Sequence, residues 1–399
     1  MKKDFWFLGV CLGLGIVLSI AGCSRPVPKQ TAGTAPLPLV SSDQVVLRDD
    51  GDRDSLRQAV GASLRYWQRQ DPDRRIQACG TSYQARDFIT SLSRFLEIVN
   101  SEVEDDWEGV VAREFTLCQT GSDQQAADIL VTGYYQPRFK ASRERVPPFI
   151  HPVYQVPKDL ISARSFAVQG EEKIVGRMNG ERLESYWTRE EIETQGRLRG
   201  NELCYLADPV EVFILQVQGS GVVEYPNGSV QQLLFAGTNG RPYRSIGRLL
   251  ADEGRIPLAE IDMPRIRRYL DEHLDERQRI LHYNERYVFF RLTELKPGLG
   301  PVGSMGAVLT PGRSVALDDA CYPKGGLFFL QTERLVVMAG EAAPSWQPMT
   351  RYVLSQDSGA AIKGGGRLDF FWGSGDYPEL AAGLMKQPGR LYLLMKKAE

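Results

Sequence analysis

"QDSGAAIKGGGRLDFFWGSGD", residues 356–376, sets three aspartates, a lone lysine and six glycines in twenty-one positions. Glycine at this density argues against a helix, and the aromatic run Phe370–Trp372 argues against a disordered tail. Alternation from Arg367 places Leu368 and Phe370 on one side of a strand, with Arg367, Asp369 and Phe371 on the other. A glycine-rich loop therefore feeds a short strand that carries a carboxylate among aromatic rings.

The same texture runs through the last third of the chain. "RYVFFRL" (286–292), "SVALD" (314–318), "GLFFL" (326–330), "RLVVMAG" (334–340), "RYVLS" (351–355) and "RLYLLMK" (390–396) are short β-like runs between turn residues. It begins after "ADILVTGYYQPRF" (127–139), with "EVFILQVQGSG" (211–221) read as a strand, "YPNG" (225–228) as a tight turn and "VQQLLFAG" (230–237) as the returning strand. Helical spacing occurs at the front, where Leu56, Val60, Ser63, Leu64 and Trp67 share a face, as do Phe88, Leu92, Phe95, Leu96 and Val99. It returns over 245–280 through Ile246, Leu249, Leu250, Ile266, Tyr269 and Leu270. The expected class is α+β, mainly β, with barrel-like sheets and helices at the front and middle.

A net charge of −2 over 399 residues gives no electrostatic reason to expect nucleic acid. Lys2 and Lys3 precede an apolar run from Phe5 to Ile20 that ends in Ala21-Gly22-Cys23, the pattern of a secretory signal. The cysteine after Ala-Gly makes it resemble a bacterial lipoprotein signal (1–22), which implies acylation of Cys23. Ser24, where aspartate would favour inner-membrane retention, implies the periplasmic face of the outer membrane. Residues 23–50 read as a flexible tether rich in Pro, Thr, Ser and Gly. Export leaves Cys79, Cys118, Cys204 and Cys321 in an oxidising compartment, either paired or buried as thiols. Cys79 and Cys118 flank the helix over 81–100, which could bring them together as a disulfide.

Walker, Gly-x-Ser-x-Gly and His-Glu-x-x-His patterns are absent, and three histidines offer no obvious base or zinc site. Carboxylates remain as the acid–base candidates. Asp369 beside Phe370, Phe371 and Trp372 would be desolvated, which raises its pKa and lets it donate a proton near neutral pH. The rings could stack on sugars or simply pack a core.

"GRSVALD" (312–318) with "QDSGAAIKGGGRLDFFWG" (356–373) resembles the three-aspartate (3D) domain that closes the membrane-bound lytic transglycosylase A (MltA) family. "TGYYQP" (132–137), "QVQGSG" (216–221), "AGTNGRPYRSIG" (236–247) and "MGAVLTPGRS" (305–314) resemble the same family in the same order. Ala360 stands where that family pattern suggests glycine, a loss of backbone freedom but not of chemistry. The resemblance implies a double-psi β-barrel domain interrupted by a smaller β-barrel domain, divided as 51–135, an insert over 136–243, and 244–399 with the 3D domain at about 305–396. It implies cleavage of the β-1,4 bond between N-acetylmuramic acid and N-acetylglucosamine in peptidoglycan, without water, to leave 1,6-anhydromuramyl ends.

Asp369 falls on the family's catalytic position, with Asp357 as its support and Asp318 fixing a turn. Tyr134, Tyr135, Gln218, Ser220, Asn239 and Tyr243 are the candidate glycan contacts, Tyr134 and Gln218 first among them, with turn chemistry and core packing as the alternative. Lys363 reads as a loop-solvating residue. The implied partners are peptidoglycan strands, a lipid membrane through acylated Cys23, and murein synthases; no cofactor, metal or nucleic acid is implied. Two rival readings stay open: a barrel-fold hydrolase using Asp369 as acid and Asp357 as base, and a wall-binding lipoprotein without activity.

Overall fold

The computed structural model describes residues 39–40, 44–101, 106–120, 128–167, 170–295, 300–338 and 344–398. The signal and Cys23 expectations lie outside them. Six strands close the first barrel. In spatial order they are Lys386–Lys396, Leu327–Val336, Ser345–Asp357, Ser314–Ala316, Arg367–Phe371 and Ile129–Tyr134, with the last pairing back onto the first. Two of these pairings are parallel, Ser314–Ala316 on Ser345–Asp357 and Arg367–Phe371 on Ile129–Tyr134. This is the double-psi β-barrel. Helices Arg53–Trp67 and Ala85–Asn100 cover it with the expected faces: Leu56, Val60, Phe88 and Phe95 are fully buried, and Trp67 stacks on Phe88 at 4.4 Å.

Between the first barrel strand and the other five the chain builds a second sheet. Its order is Val288–Glu294, Val230–Thr238, Ser220–Glu224, Arg138–Ser142, Glu202–Leu206 and His151–Tyr154, and a bridge from Gln155 to Phe290 closes it. The tight turn at 225–228 joins two of these strands as expected, with Gly228 donating its N–H to Tyr225 O and taking φ 78°. The expected insert boundary at 243 needs correction. Strand Val288–Glu294 pairs with Val230–Thr238, so the second sheet reaches past the helices Ile246–Asp252, Met263–Glu272 and Leu274–Tyr283.

Two local expectations fail for physical reasons. "EVFILQVQGSG" is largely a helix, Pro209–Gln218, not a strand. Asp208 caps it by accepting from Val210 N, Pro209 opens it, and Gly219 at φ 76° ends it. Residues 212–216 are all buried, and an apolar run buried all round carries no helical period to read. The tether also ends before residue 50. Val45 and Leu47 are buried, and Asp49 forms a two-pronged ion pair with Arg313 at 2.7 and 2.8 Å. Gly51 is required there, because a Cβ would lie 2.4 Å from the Arg313 guanidinium.

Cys79 and Cys118 form the expected disulfide, with Cα atoms 6.2 Å apart across a 39-residue separation. Cys204 and Cys321 are free thiols, the first buried and the second exposed.

Candidate active site

The three parallel and antiparallel registers around Ala316 build one row across four strands. Ala316 pairs with Asp357 on one side and Asp369 on the other, and Asp369 pairs with Thr132 beyond it. The two aspartates thus lie two strand spacings apart, about 9–10 Å between backbones. The small side chain between them leaves open space, and all four residues line a cavity of about 1530 Å³. The second barrel supplies the facing wall with Gln216, Gln218, Ser220, Tyr243 and Arg286.

Asp369 is half-buried, and one of its oxygens accepts a hydrogen bond from Thr132 Oγ1 at 2.7 Å. Burial pushes its carboxyl up to about 6, and the Asp357 charge adds to this; the Thr132 hydroxyl and the Arg367 guanidinium pull the other way. Arg367 donates from Nη2 to Thr132 Oγ1 at 3.4 Å, so hydroxyl, carboxyl and guanidinium form one connected group. Phe370, Phe371 and Trp372 are not a stacking platform. They are 0%, 1% and 9% exposed, and Trp372 packs edge-on against Phe370 at 4.9 Å. Phe370 and Trp372 belong to the hydrophobic core of the first barrel.

Asp357 is committed to the protein. One oxygen accepts from Ser304 N at 2.8 Å and Ser358 N at 2.9 Å, while the other accepts from the Tyr134 hydroxyl at 3.1 Å. Burial raises its pKa; the amides, the phenol and the charge of Lys324 oppose the rise. Tyr134, its own pKa raised by burial and by both aspartates, fixes Asp357 and packs on Phe371 at 5.1 Å. Asp318 lies outside the cavity lining and holds turns, accepting from Ala320 N at 3.2 Å and Gly364 N at 2.7 Å. That second bond ties it to the glycine loop before Asp369.

The other candidates divide. Tyr135, Gln218, Ser220, Tyr243 and Lys363 all reach the cavity. Gln218 Oε1 accepts from Tyr135 N at 3.1 Å, linking the end of the buried helix to the first barrel. Asn239 is a correction. It is 1% exposed and spends its amide on the backbone, donating to Trp187 O and Glu285 O and accepting from Tyr287 N and Arg241 N. It has nothing left for a sugar. Sequence reading missed Thr132, Ser304, Arg286 and Arg367 as site residues; Thr132 stood inside the quoted "TGYYQP", but its partner lies 237 positions away.

A double-psi barrel interrupted by a second barrel, with a buried carboxyl in the cleft, defines the class. The "MltA specific insert domain" model matches residues 130–291 and the "3D domain" model matches residues 313–395. The membrane-bound lytic murein transglycosylase A of Escherichia coli strain K12 is 28% identical over 270 residues, 67% of this chain and 66% of that relative, just under two thirds of its length. A solved structure of LtgG, a lytic transglycosylase of Burkholderia pseudomallei, is 32% identical with a TM-score of 0.52, covering 91% of this chain and 96% of that one. The structure of MltA from Neisseria gonorrhoeae in its monoclinic form is 26% identical with a TM-score of 0.69, covering 90% and 92%. The chain belongs to the membrane-bound lytic murein transglycosylase A family.

Proposed function

We propose that the protein is a peptidoglycan lytic transglycosylase that cleaves between N-acetylmuramic acid and N-acetylglucosamine, with Asp369 as its one catalytic residue. The observation that carries this reading is one poised carboxyl beside a committed one in the strand row. The other acidic residues of the cleft, Asp262, Asp271, Glu272, Asp376 and Glu379, lie on or beside the helices Met263–Glu272 and Asp376–Leu384. Asp369 is raised to about 6 in a large cleft, while Asp357, the other carboxylate of the row, is held by three donors. A glycosidase that uses water needs a second free carboxylate as base or nucleophile. A reaction whose nucleophile is the substrate's own C6 hydroxyl does not, because proximity is built into the sugar.

Asp369, protonated, gives its proton to the glycosidic oxygen as the bond from that oxygen to the anomeric carbon breaks. The resulting carboxylate takes the proton of the C6 hydroxyl as that oxygen bonds to the anomeric carbon. The proton count closes, no water is consumed, and the acid is regenerated. Asp357 and Tyr134 fix the neighbouring wall, Thr132 holds one Asp369 oxygen so that the other faces the cleft, and Tyr135, Gln218, Ser220 and Tyr243 offer glycan contacts. Purified sacculi incubated with the protein test this directly. Soluble fragments with anhydro ends are expected, and intact sacculi would leave only a wall-binding protein.

The protein is membrane-associated. Among the described residues no helix is long and apolar enough to cross a membrane. Acylated Cys23 provides the attachment, with the enzyme facing the periplasm from the outer membrane. Cys23→Ala should accumulate as an uncleaved precursor without lipid; normal processing of that variant would remove the anchor. The domain division that fits the pairing is 129–134 and 314–396 for the double-psi barrel, with 138–294 as the insert.

A further inference from the structure

The motif "AGTNGRPYRSIG" gives the cleft only Tyr243 directly, yet its most constrained residue, Asn239, works on something else. With Arg189 and Asn284, both also buried, it clamps the backbone of residues 284–287. Asn239 donates to Glu285 O at 2.8 Å and accepts from Tyr287 N at 2.9 Å. Arg189 donates to Asn284 O at 2.9 Å and Arg286 O at 2.8 Å, and Asn284 Oδ1 accepts from Arg286 N at 3.4 Å. The side chain at the centre of this clamp is Arg286, which lines the cavity.

Arg286 makes no ion pair among the described residues, and its guanidinium donates only to a carbonyl, Arg241 O at 3.3 Å. The adjacent carboxylate, Glu285, is taken by Arg244 at 2.9 Å and Arg241 at 3.8 Å. Of the other cleft arginines, Arg189 pairs with Glu193 at 3.1 Å and Arg267 with Asp271 at 3.9 Å, Arg367 is joined to Thr132 beside Asp369, and Arg268 and Arg291 are exposed to water. Burial lowers the pKa of Arg286 and no neighbouring charge offsets it. A guanidinium withdrawn from water beside an open cleft, on a backbone fixed by three buried polar side chains, is arranged for an anion that arrives with the ligand. It presents the planar fork that matches a carboxylate.

We propose that Arg286 binds a carboxylate carried on the muramyl sugar of the glycan, so that the cleft favours carboxylate-bearing strands over neutral ones. The inference rests on the glycan reading above. The carboxylate is either that of the lactyl group on a stripped strand or one belonging to the stem peptide, and the two are separable.

Binding is measured calorimetrically on the full chain in an Asp369→Asn background, with three probes. These are peptide-bearing muramyl oligosaccharides, the same strands after amidase stripping, and the neutral N-acetylglucosamine hexamer. Arg286→Gln should weaken binding of a carboxylate-bearing probe by about 10- to 100-fold, the worth of one charge-assisted hydrogen bond, and shift the neutral hexamer far less. Arg286→Lys, which keeps the charge, should recover part of the loss and shows that the segment still folds. Loss on the stripped probe alone assigns the lactyl carboxylate, which amidase cleavage frees from its amide; loss on the peptide-bearing probe alone assigns the stem, and loss on both shows that the fork takes either carboxylate. Equal loss on all three probes, or loss on none, overturns the proposal. Failure of the unsubstituted protein to form anhydro ends would refute the activity while leaving this selectivity standing, so the two outcomes are told apart.

Discussion

Asp369→Asn releases anhydro-ended fragments from sacculi at least about 10²–10⁴-fold more slowly than the unsubstituted protein, the range expected for a lost general acid–base group. Asparagine can still accept the Thr132 hydroxyl, so geometry survives and only proton delivery is lost. The unsubstituted enzyme should lose kcat/KM as pH rises through about 6, where Asp369 ionises and can no longer protonate the leaving oxygen. The same shift has a stability cost. A carboxyl raised from 3.8 to about 6 in the folded chain favours the folded state fully below pH 3.8 and loses that contribution as pH rises through 6. Two pH units correspond to about 2–3 kcal/mol, so at pH 7 the inactive Asp369→Asn variant should be the more stable protein by up to about that amount. Asp357→Asn should slow release less, since Asp357 acts through Asp369 and the surrounding loop. A folded Asp369→Asn protein working within about threefold of the original rate, far inside the range for a lost acid–base group, would take Asp369 out of the mechanism.

Asp49→Ala should destabilise the protein by roughly 3–5 kcal/mol, the cost of stranding a buried charge. The Asp49 and Arg313 side chains are 2% and 1% exposed. Asp49 also accepts from Tyr352 N and Gly51 N, both at 2.8 Å. Arg313 reaches Ser55 Oγ, Tyr352 O and Asp52 O with its remaining donors. This cluster seats the amino-terminal approach and the start of helix Arg53–Trp67 on the barrel. Removing one partner leaves a guanidinium that those three oxygens cannot neutralise. Replacing both partners with apolar residues should cost much less than Asp49→Ala alone. Urea unfolding of the two variants beside the unsubstituted protein measures it, and a loss below about 1 kcal/mol for Asp49→Ala would mean the pair behaves like an exposed one.

What the sequence disclosed follows from how local each signal is. The strand after the glycine loop was legible because alternation of Leu368 and Phe370 against Arg367 and Asp369 is a two-residue period, and burial follows it. The front helices were legible from their apolar stripes. Helix Pro209–Gln218 was not, because its β-branched, fully buried run has the composition of a core strand. Its only honest markers were Asp208-Pro209 at the start and Gly219 at the end. Asp369 could be singled out by its ring-rich surroundings, but whether those rings face sugar or core depends on packing, and they face core. Asn239 misled because a turn-like sequence does not say which backbone its amide will hold. Thr132, Ser304 and Arg286 meet the site only through strand pairing and loop closure across long separations. No local pattern announces those.

The central claim is that the C6 hydroxyl, not water, attacks the anomeric carbon. Digesting sacculi in heavy-oxygen water and weighing the muramyl ends by mass spectrometry tests it most directly. Ends one water lighter than the reducing sugar and free of heavy oxygen are the predicted result; reducing ends carrying heavy oxygen at the anomeric carbon would contradict it.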